Sequence, residues 1–389
     1  MRRIPIELRA GAGAAAWIEV DLEAVAHNVR AFRSVLPRSC RLIAVVKANA
    51  YGHGAVPVAR AALAAGASAL GVANVREAEA LRSAAVTAEI LVLGPLDGAD
   101  ARAVVELDLM PGLGSAELAR ALAERPQPRG RAPRVHVEVD TGMRRHGVPA
   151  DELPAFVRDL QQRGRLALAG VFTHFAGVEP HELPAMRQQF AAFGRALAAV
   201  RDLGAPLRHA ANSLATLLLP EARLDAVRIG GGLYGFDPLG GRSDLRLAPA
   251  LALKARVQGL RDAAPGDTVG YGATFVCRRP SRLALLPIGY ADGLSRATWQ
   301  DAEVLLRGRR VRIAGRISMN QTVVDATDVP DAAVGDEVVL LGRQGAELVR
   351  AEERVPAGGS VYEVTTLLPA HLPREFVGAA VDLPARLLH

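Results

Sequence analysis

Between residues 41 and 230 the chain repeats one alternation: a short apolar, β-like run, then a helical stretch rich in Ala, Arg and Glu. The runs are "RLIAVVK" (41–47), "SALGVAN" (68–74), "EILVLG" (89–94), "LDLMPGL" (107–113), "RVHVEVD" (134–140), "LALAGVFTH" (166–174), "LRHAANS" (207–213) and "AVRIG" (226–230). Patterns such as "VREAEALRSAA" and "LPAMRQQFAAFGRALAAVRDLG" separate them. Strands alternating with helices call for βαβ units and a parallel sheet, and continuous small hydrophobics suit a sheet covered on both faces. Eight such units predict an α/β fold whose N-terminal part is a (β/α)8 barrel.

After about residue 245 the texture changes. "LALKARVQGLRDAAPGDTVGYGATF", "RLALLPIGY", "VRIAGRI" and "GDEVVLLG" are short strands between Gly, Pro and Asp turns. Long helical patterns are scarce, so a mainly β C-terminal domain is expected. The expected limits are a flexible tail over 1–14, a barrel over 15–245 and the β domain over 246–389.

Half the residues are hydrophobic, enough for packed cores, and disorder of the whole chain is excluded. The formal charge is +6, but the arginines are scattered and aromatics are only 4%, which argues against a nucleic-acid surface. No apolar segment is long enough to span a membrane, and no apolar h-region follows the two N-terminal arginines. Cys40 and Cys277 have no metal-ligand spacing and do not suggest a disulfide framework. A cytoplasmic protein without a metal is expected.

In a barrel of this kind, functional side chains stand at the C-terminal ends of several strands. Lys47 ends the first run, and Glu138 and Asp140 lie in the fifth. His174 ends the sixth, Asn212 and Ser213 the seventh, and Arg228 with Gly230 and Gly231 the eighth. Lysine occurs only at Lys47 and Lys254, so all but two of the 47 basic residues are arginine. Attachment to an aldehyde needs a primary amine that can lose its proton, which arginine cannot do near neutral pH. The glycines allow close backbone approach to an anion, and Ser213 adds a hydroxyl after strand seven, where barrels often bind phosphate. A rim with a phosphate site and an amine points to pyridoxal phosphate.

"AVVKANAYGHG" is similar to the lysine signature of alanine racemases, and the resemblance continues through "VDTGMRRHG", "THFA", "ANS", "VRIGGGLYG", "VGYGATF", "IGYADG" and "GRISMNQTVVD". It covers roughly residues 15–380. The resemblance implies a pyridoxal-phosphate enzyme with a barrel and a β domain, forming a homodimer whose sites are shared between subunits. It implies that Lys47 holds the cofactor and handles the proton on one face of the substrate Cα, while Tyr271 of the partner subunit handles the opposite face. Arg228 would meet the cofactor's pyridine nitrogen, with His174 near the ring. Tyr51, Asn212, Ser213, Gly230 and Gly231 would serve the cofactor and its phosphate. Arg145 would contact the cofactor's phenolic oxygen or the substrate carboxylate, and Met319 and Tyr290 would line the entrance.

Two positions depart from the family pattern. Glu138 stands where many members carry a lysine that becomes carbamylated; a carboxylate there is expected to pair with Arg145 directly. Asn320 replaces an aspartate, which leaves a broader amino-acid racemase open beside alanine racemase. A pyridoxal-phosphate carrier is a further alternative, opposed by the long β domain. Supply of D-alanine for cell wall and catabolism of alanine both stay open as roles.

Overall fold

The computed structural model describes residues 14–125, 130–204, 206–242 and 244–378. Except for its last residue, the expected tail over 1–14 lies outside them. The chain separates into two units. Among the described residues, one comprises Ala24–Ala50 and Ala55–Ala248; the other comprises those up to Glu23, the short piece Tyr51–Gly54, and those from Pro249 onward.

The first strand, β1 (Ala16–Asp21), belongs to the second unit. The eight barrel strands are β2 (Arg41–Val45), β3 (Ala69–Val72), β4 (Ile90–Val92), β5 (Met110–Leu113), β6 (Arg134–Asp140), β7 (Ala167–Phe172), β8 (Leu207–His209) and β9 (Ala226–Ile229). Each pairs in parallel with the next, and β9 returns to β2 through the registers Ala226↔Arg41 and Ile229↔Ala44. The sheet is therefore a closed eight-stranded barrel. Every one of the eight apolar runs contains one of its strands.

Closure is stabilised by filling the bore. Ile43, Ala69, Leu91, Met110 and Ala226, from five different strands, form one buried cluster. Burying side chains of this kind contributes about 1.5–3 kcal/mol for each large one. The polar side chains of β6, β8 and β9 are thus carried on strands whose neighbours pack an apolar cluster.

In the second unit the main sheet runs β14-β13-β16-β10-β1-β17, with β10 (Leu251–Arg256), β13 (Glu303–Leu306), β14 (Arg309–Arg312), β16 (Glu337–Gln344) and β17 (Arg374–Val377). A smaller sheet holds β11 (Gly259–Ala263), β12 (Ser281–Leu286) and β15 (Thr322–Asp325). The sequence reading takes the barrel stretch from residue 15, whereas β1 is hydrogen-bonded on both sides in this sheet: antiparallel to β10 and parallel to β17. Lys254, the second lysine, is buried here and ion-paired with Glu19 at 2.9 Å and Glu337 at 3.4 Å. Both cysteines are buried free thiols. Among the described residues no helix is long and apolar enough to cross a membrane, and no group of His, Cys, Asp or Glu could hold a metal ion.

Candidate active site

Lys47 lies just beyond β2, and the backbone after it takes an unusual path. Ala48, Asn49, Ala50 and Tyr51 have φ of 52°, 52°, 54° and 53°, a turn of left-handed helix without a glycine. That conformation costs roughly 1–2 kcal/mol per residue, because Cβ crowds the following carbonyl oxygen. Local hydrogen bonds offset it. The Ala50 N–H donates to the Val46 carbonyl at 2.9 Å, and the Ala55 N–H donates to Asn49 Oδ1 at 2.8 Å. The Ala48 N–H donates to Glu77 Oε1 at 2.8 Å, while Glu77 Oε2 accepts from the Ala73 N–H at 2.7 Å. Burial holds the Lys47 amine below the usual lysine range; the positive charge of Arg145 adds to this and the charge of Glu77 opposes it.

The adjacent strand β9 supplies Arg228, in register with Ile43 of β2, a guanidinium buried among acceptors. Its Nη2 donates to the carbonyls of Thr173 at 2.7 Å and Ala210 at 3.0 Å and to His174 Nδ1 at 3.3 Å. Its Nη1 donates to His209 Nδ1 at 2.6 Å. Burial lowers Arg228 to about 10, against the opposing charge of Glu138, so it remains a cation near neutral pH. Guanidinium has donors only, so both imidazole Nδ1 atoms must be acceptors. His174 and His209 are therefore neutral, in agreement with burial and nearby cations, which push His174 down to about 3 and His209 well below the ordinary value.

The polar chain extends one step further. His209 Nε2 lies 2.9 Å from Nδ1 of His136, and the His209 ring is stacked on Phe172 at 4.8 Å between centroids and 8° between planes. His136, on β6, is pushed by burial to about 4. It fits only because β7 offers Gly170 opposite: a Cβ there would stand 2.2 Å from His136 Nδ1.

Ser213 Oγ accepts the N–H groups of Gly230 at 3.2 Å and Gly232 at 3.3 Å, so the hydroxyl lies against the glycine backbone. Gly231 lies between these two in the chain and is buried. Asn212 caps the helix that Ser213 opens, its Oδ1 accepting the Ala215 N–H at 2.9 Å, and its Nδ2 donates to the Gly177 carbonyl.

The expected pair of Glu138 and Arg145 is corrected by the structure. Glu138 Oε2 instead takes the Nδ1 of His146 at 2.6 Å, and among the described residues no ion pair joins it to Arg145. Arg144 is held by Asp140 at 3.4 Å. With its two neighbours committed to carboxylates, Arg145 is the member of "RRH" whose charge reaches both Lys47 and His174.

In the second unit, Tyr51 meets Tyr362 edge to face at 5.4 Å, and burial together with Tyr362 raises its phenol above the ordinary range. Tyr271 caps the β-hairpin turn between Gly270 and Gly272, both at positive φ, and projects outward with 68% of its surface exposed. Tyr290 and Met319 are exposed on turns that hydrogen-bond to each other, with the Tyr290 N–H on the Ser318 carbonyl and the Ala291 N–H on the Met319 carbonyl. Arg296 lies over the Tyr290 ring at 5.0 Å, and Arg316 lies against the Tyr271 turn. Asn320 is exposed beside Met319.

The family models for the alanine racemase N-terminal and C-terminal domains match residues 20–238 and 250–376. This chain belongs to the alanine racemase family. It is 42% identical to the alanine racemase of Desulfovibrio desulfuricans over 93% of this chain and 98% of that protein. Its identity to the alanine racemase of Symbiobacterium thermophilum is also 42%, over 93% and 97%. Among solved structures, the alanine racemase of the D-cycloserine producer Streptomyces lavendulae superposes with a TM-score of 0.88 at 37% identity, covering 95% of this chain and 98% of that one. That of Bacillus anthracis with bound L-Ala-P gives 0.86 at 35%, covering 96% and 97%.

Sequence reasoning had no signal for several of these polar contacts. His136 and His209 are 73 positions apart and meet only through the barrel. Glu77 follows its helix cap Asn74 at the spacing of a capping box, which reads as an ordinary helix start.

Proposed function

We propose that this protein interconverts L-alanine and D-alanine with pyridoxal phosphate, in a site shared between the two subunits of a homodimer. The observation that carries the reading is a lysine amine of depressed basicity at the same barrel rim as a permanent, donor-only guanidinium and a hydroxyl–glycine cradle. The donor set fits the cofactor. Lys47 would hold its aldehyde carbon, Tyr51, Ser213 and the backbone of Gly230 and Gly231 its phosphate, and Arg228 its ring nitrogen, with Asn212 and His174 supporting. When bound, the cofactor supplies an electron sink for a carbanion at the substrate Cα.

The chain's own residues do the rest. Racemisation requires a proton to leave one face of Cα and another to arrive at the opposite face. Lys47 moves the proton on one face, and its lowered basicity suits a group that must exist as a free amine near neutral pH. Tyr271 of the other subunit serves the second face; its exposure on a glycine-flanked turn supports a role against a partner. Arg228 would meet the ring nitrogen as a hydrogen-bond donor that stays a cation and so does not transfer its proton, and neutral His174 and His209 accept from the guanidinium and fix its orientation. Arg145 orients the substrate carboxylate or the cofactor's phenolic oxygen. Tyr290 and Met319 line the entrance.

Asn320 supports a second reading, a broader amino-acid racemase, because an uncharged amide at the entrance does not repel anionic substrates. Chiral chromatography of cofactor-loaded protein incubated with single L-amino acids tests both. Racemised alanine alone establishes the first reading. Comparable rates with serine or lysine establish the second, and no racemisation of any amino acid refutes both.

A further inference from the structure

We propose that Glu77 is a positioning residue for Lys47, its carboxylate clipping the left-handed turn behind the lysine to the exit of the neighbouring barrel strand. The inference rests on the reading of Lys47 as the amine that carries the cofactor and moves the Cα proton. The last β2–β3 register is Val45↔Gly71, and the last ladder hydrogen bond is from the Val46 N–H to the Gly71 carbonyl at 2.8 Å, so Lys47 itself lies just beyond the parallel ladder. Its position is set by what fixes the turn.

The turn begins with an amide that a right-handed continuation would have used differently. The Ala48 N–H, next along the chain from Lys47, goes to Glu77 Oε1 at 2.8 Å. The second oxygen takes the Ala73 N–H at 2.7 Å, at the residue following β3. One carboxylate thus joins the ends of two adjacent barrel strands. The Glu77 backbone N–H donates to Asn74 Oδ1 at 3.0 Å, which caps the helix Val75–Ser83, while among the described residues the carboxylate is held by the Ala48 and Ala73 N–H groups alone. In a capping box the carboxylate would reach back to the cap residue's own N–H. Here it reaches one residue further and across to the lysine turn.

Two N–H donors converging on one side chain require two acceptors. A carboxylate offers both oxygens, whereas the amide of Gln offers one oxygen and an NH2 that meets the second N–H as donor against donor. The carboxylate also bears charge close enough to oppose the effects of burial and Arg145 on Lys47. Position and basicity of the amine are therefore both coupled to this side chain.

Glu77→Gln and Glu77→Asp test it, with Asn74→Ala as control and Lys47→Ala as reference. In cofactor-free protein, the pH dependence of Lys47 reductive methylation by formaldehyde and cyanoborohydride is followed by mass spectrometry; in the loaded protein, kcat and KM for alanine are measured. Glu77→Gln is expected to shift the Lys47 titration downward and to lower kcat about 10- to 100-fold with KM little changed, the size of effect that a displaced catalytic group produces. Glu77→Asp, which keeps the charge but loses reach, is expected to lower kcat with a smaller shift. It also serves if the Gln variant does not fold. Asn74→Ala is expected to lower thermal stability and leave the Lys47 titration in place. Parental titration and kcat in Glu77→Gln, or the same changes in Asn74→Ala, would overturn the inference while Lys47→Ala stays inactive. An active Lys47→Ala would overturn the reading on which it rests.

Discussion

Arg228 Nη1 stands 2.6 Å from His209 Nδ1, and because only the guanidinium has hydrogen to give, the imidazole must carry its own proton on Nε2. That proton then points at His136 Nδ1, 2.9 Å away, which must accept in turn. The tautomers of two histidines are set from the cation outward.

His209→Phe keeps the stack on Phe172 and removes the acceptor, leaving Arg228 Nη1 short of its nearest partner in a buried site. Stability is expected to fall by about 1–3 kcal/mol, read from urea denaturation. An unchanged midpoint at unchanged slope would refute the argument.

Acid should destabilise the barrel before its carboxylates titrate. His136 and His174 are held to about 4 and about 3 when folded, below the ordinary histidine value of about 6.5. Unfolded chains bind these protons first, so stability is complete above pH ~6.5 and is lost as pH falls toward the folded values. The slope is about 1.4 kcal/mol per pH unit for each such histidine. Denaturation at a series of pH values between neutrality and mild acid measures it, and His136→Phe, if it folds, should flatten the curve.

Arg145 acts on Lys47 through charge. Arg145→Gln is expected to move the Lys47 titration up, opposite in sign to the loss of Glu77, and to weaken binding of alanine. Amine labelling against pH and KM check the two halves separately. A downward shift would mean that Arg145 does not face the amine.

Mixing two single-site variants tests the proposed homodimer and its shared site. Lys47→Ala and Tyr271→Phe dimers, dissociated and reassociated together, place one intact pair of residues in each mixed dimer. Random exchange is expected to restore about a quarter of the parental activity. No recovery, with mixed dimers demonstrated by mass, would put both residues in one subunit's site.

Gly170→Ala should be poorly tolerated, since its Cβ would stand 2.2 Å from the His136 ring. A loss of about 1–3 kcal/mol is expected for such overpacking. Thermal denaturation checks it.

The eight barrel strands were legible because a parallel strand covered on both faces must be apolar along its length. Lys47 and Arg228 were legible because each is a cation ending or interrupting such a run. The left-handed turn was not, since Ala48, Asn49, Ala50 and Tyr51 carry no glycine to announce positive φ. Nor was the partner of Glu138: alternation gives its face but not which of Arg144, Arg145 and His146 a tight turn delivers to it. The pairing of β1 was hidden for a different reason, because its strand neighbours lie at residues 251–256 and 374–377.

That last pairing bears on how the molecule is made. Strand β1 is synthesised early, yet its two neighbours follow the entire barrel in the chain, and the barrel is topologically an insertion into the β unit. At about 5–20 residues per second, a ribosome needs on the order of 20–70 s to reach β17 after releasing β1. Until β10 is made, "AWIEVD" has neither of its ladders, and from then until β17 arrives it can have only the antiparallel one. The barrel can finish first, and the sheet of the β unit is complete only when β17 arrives beside β1.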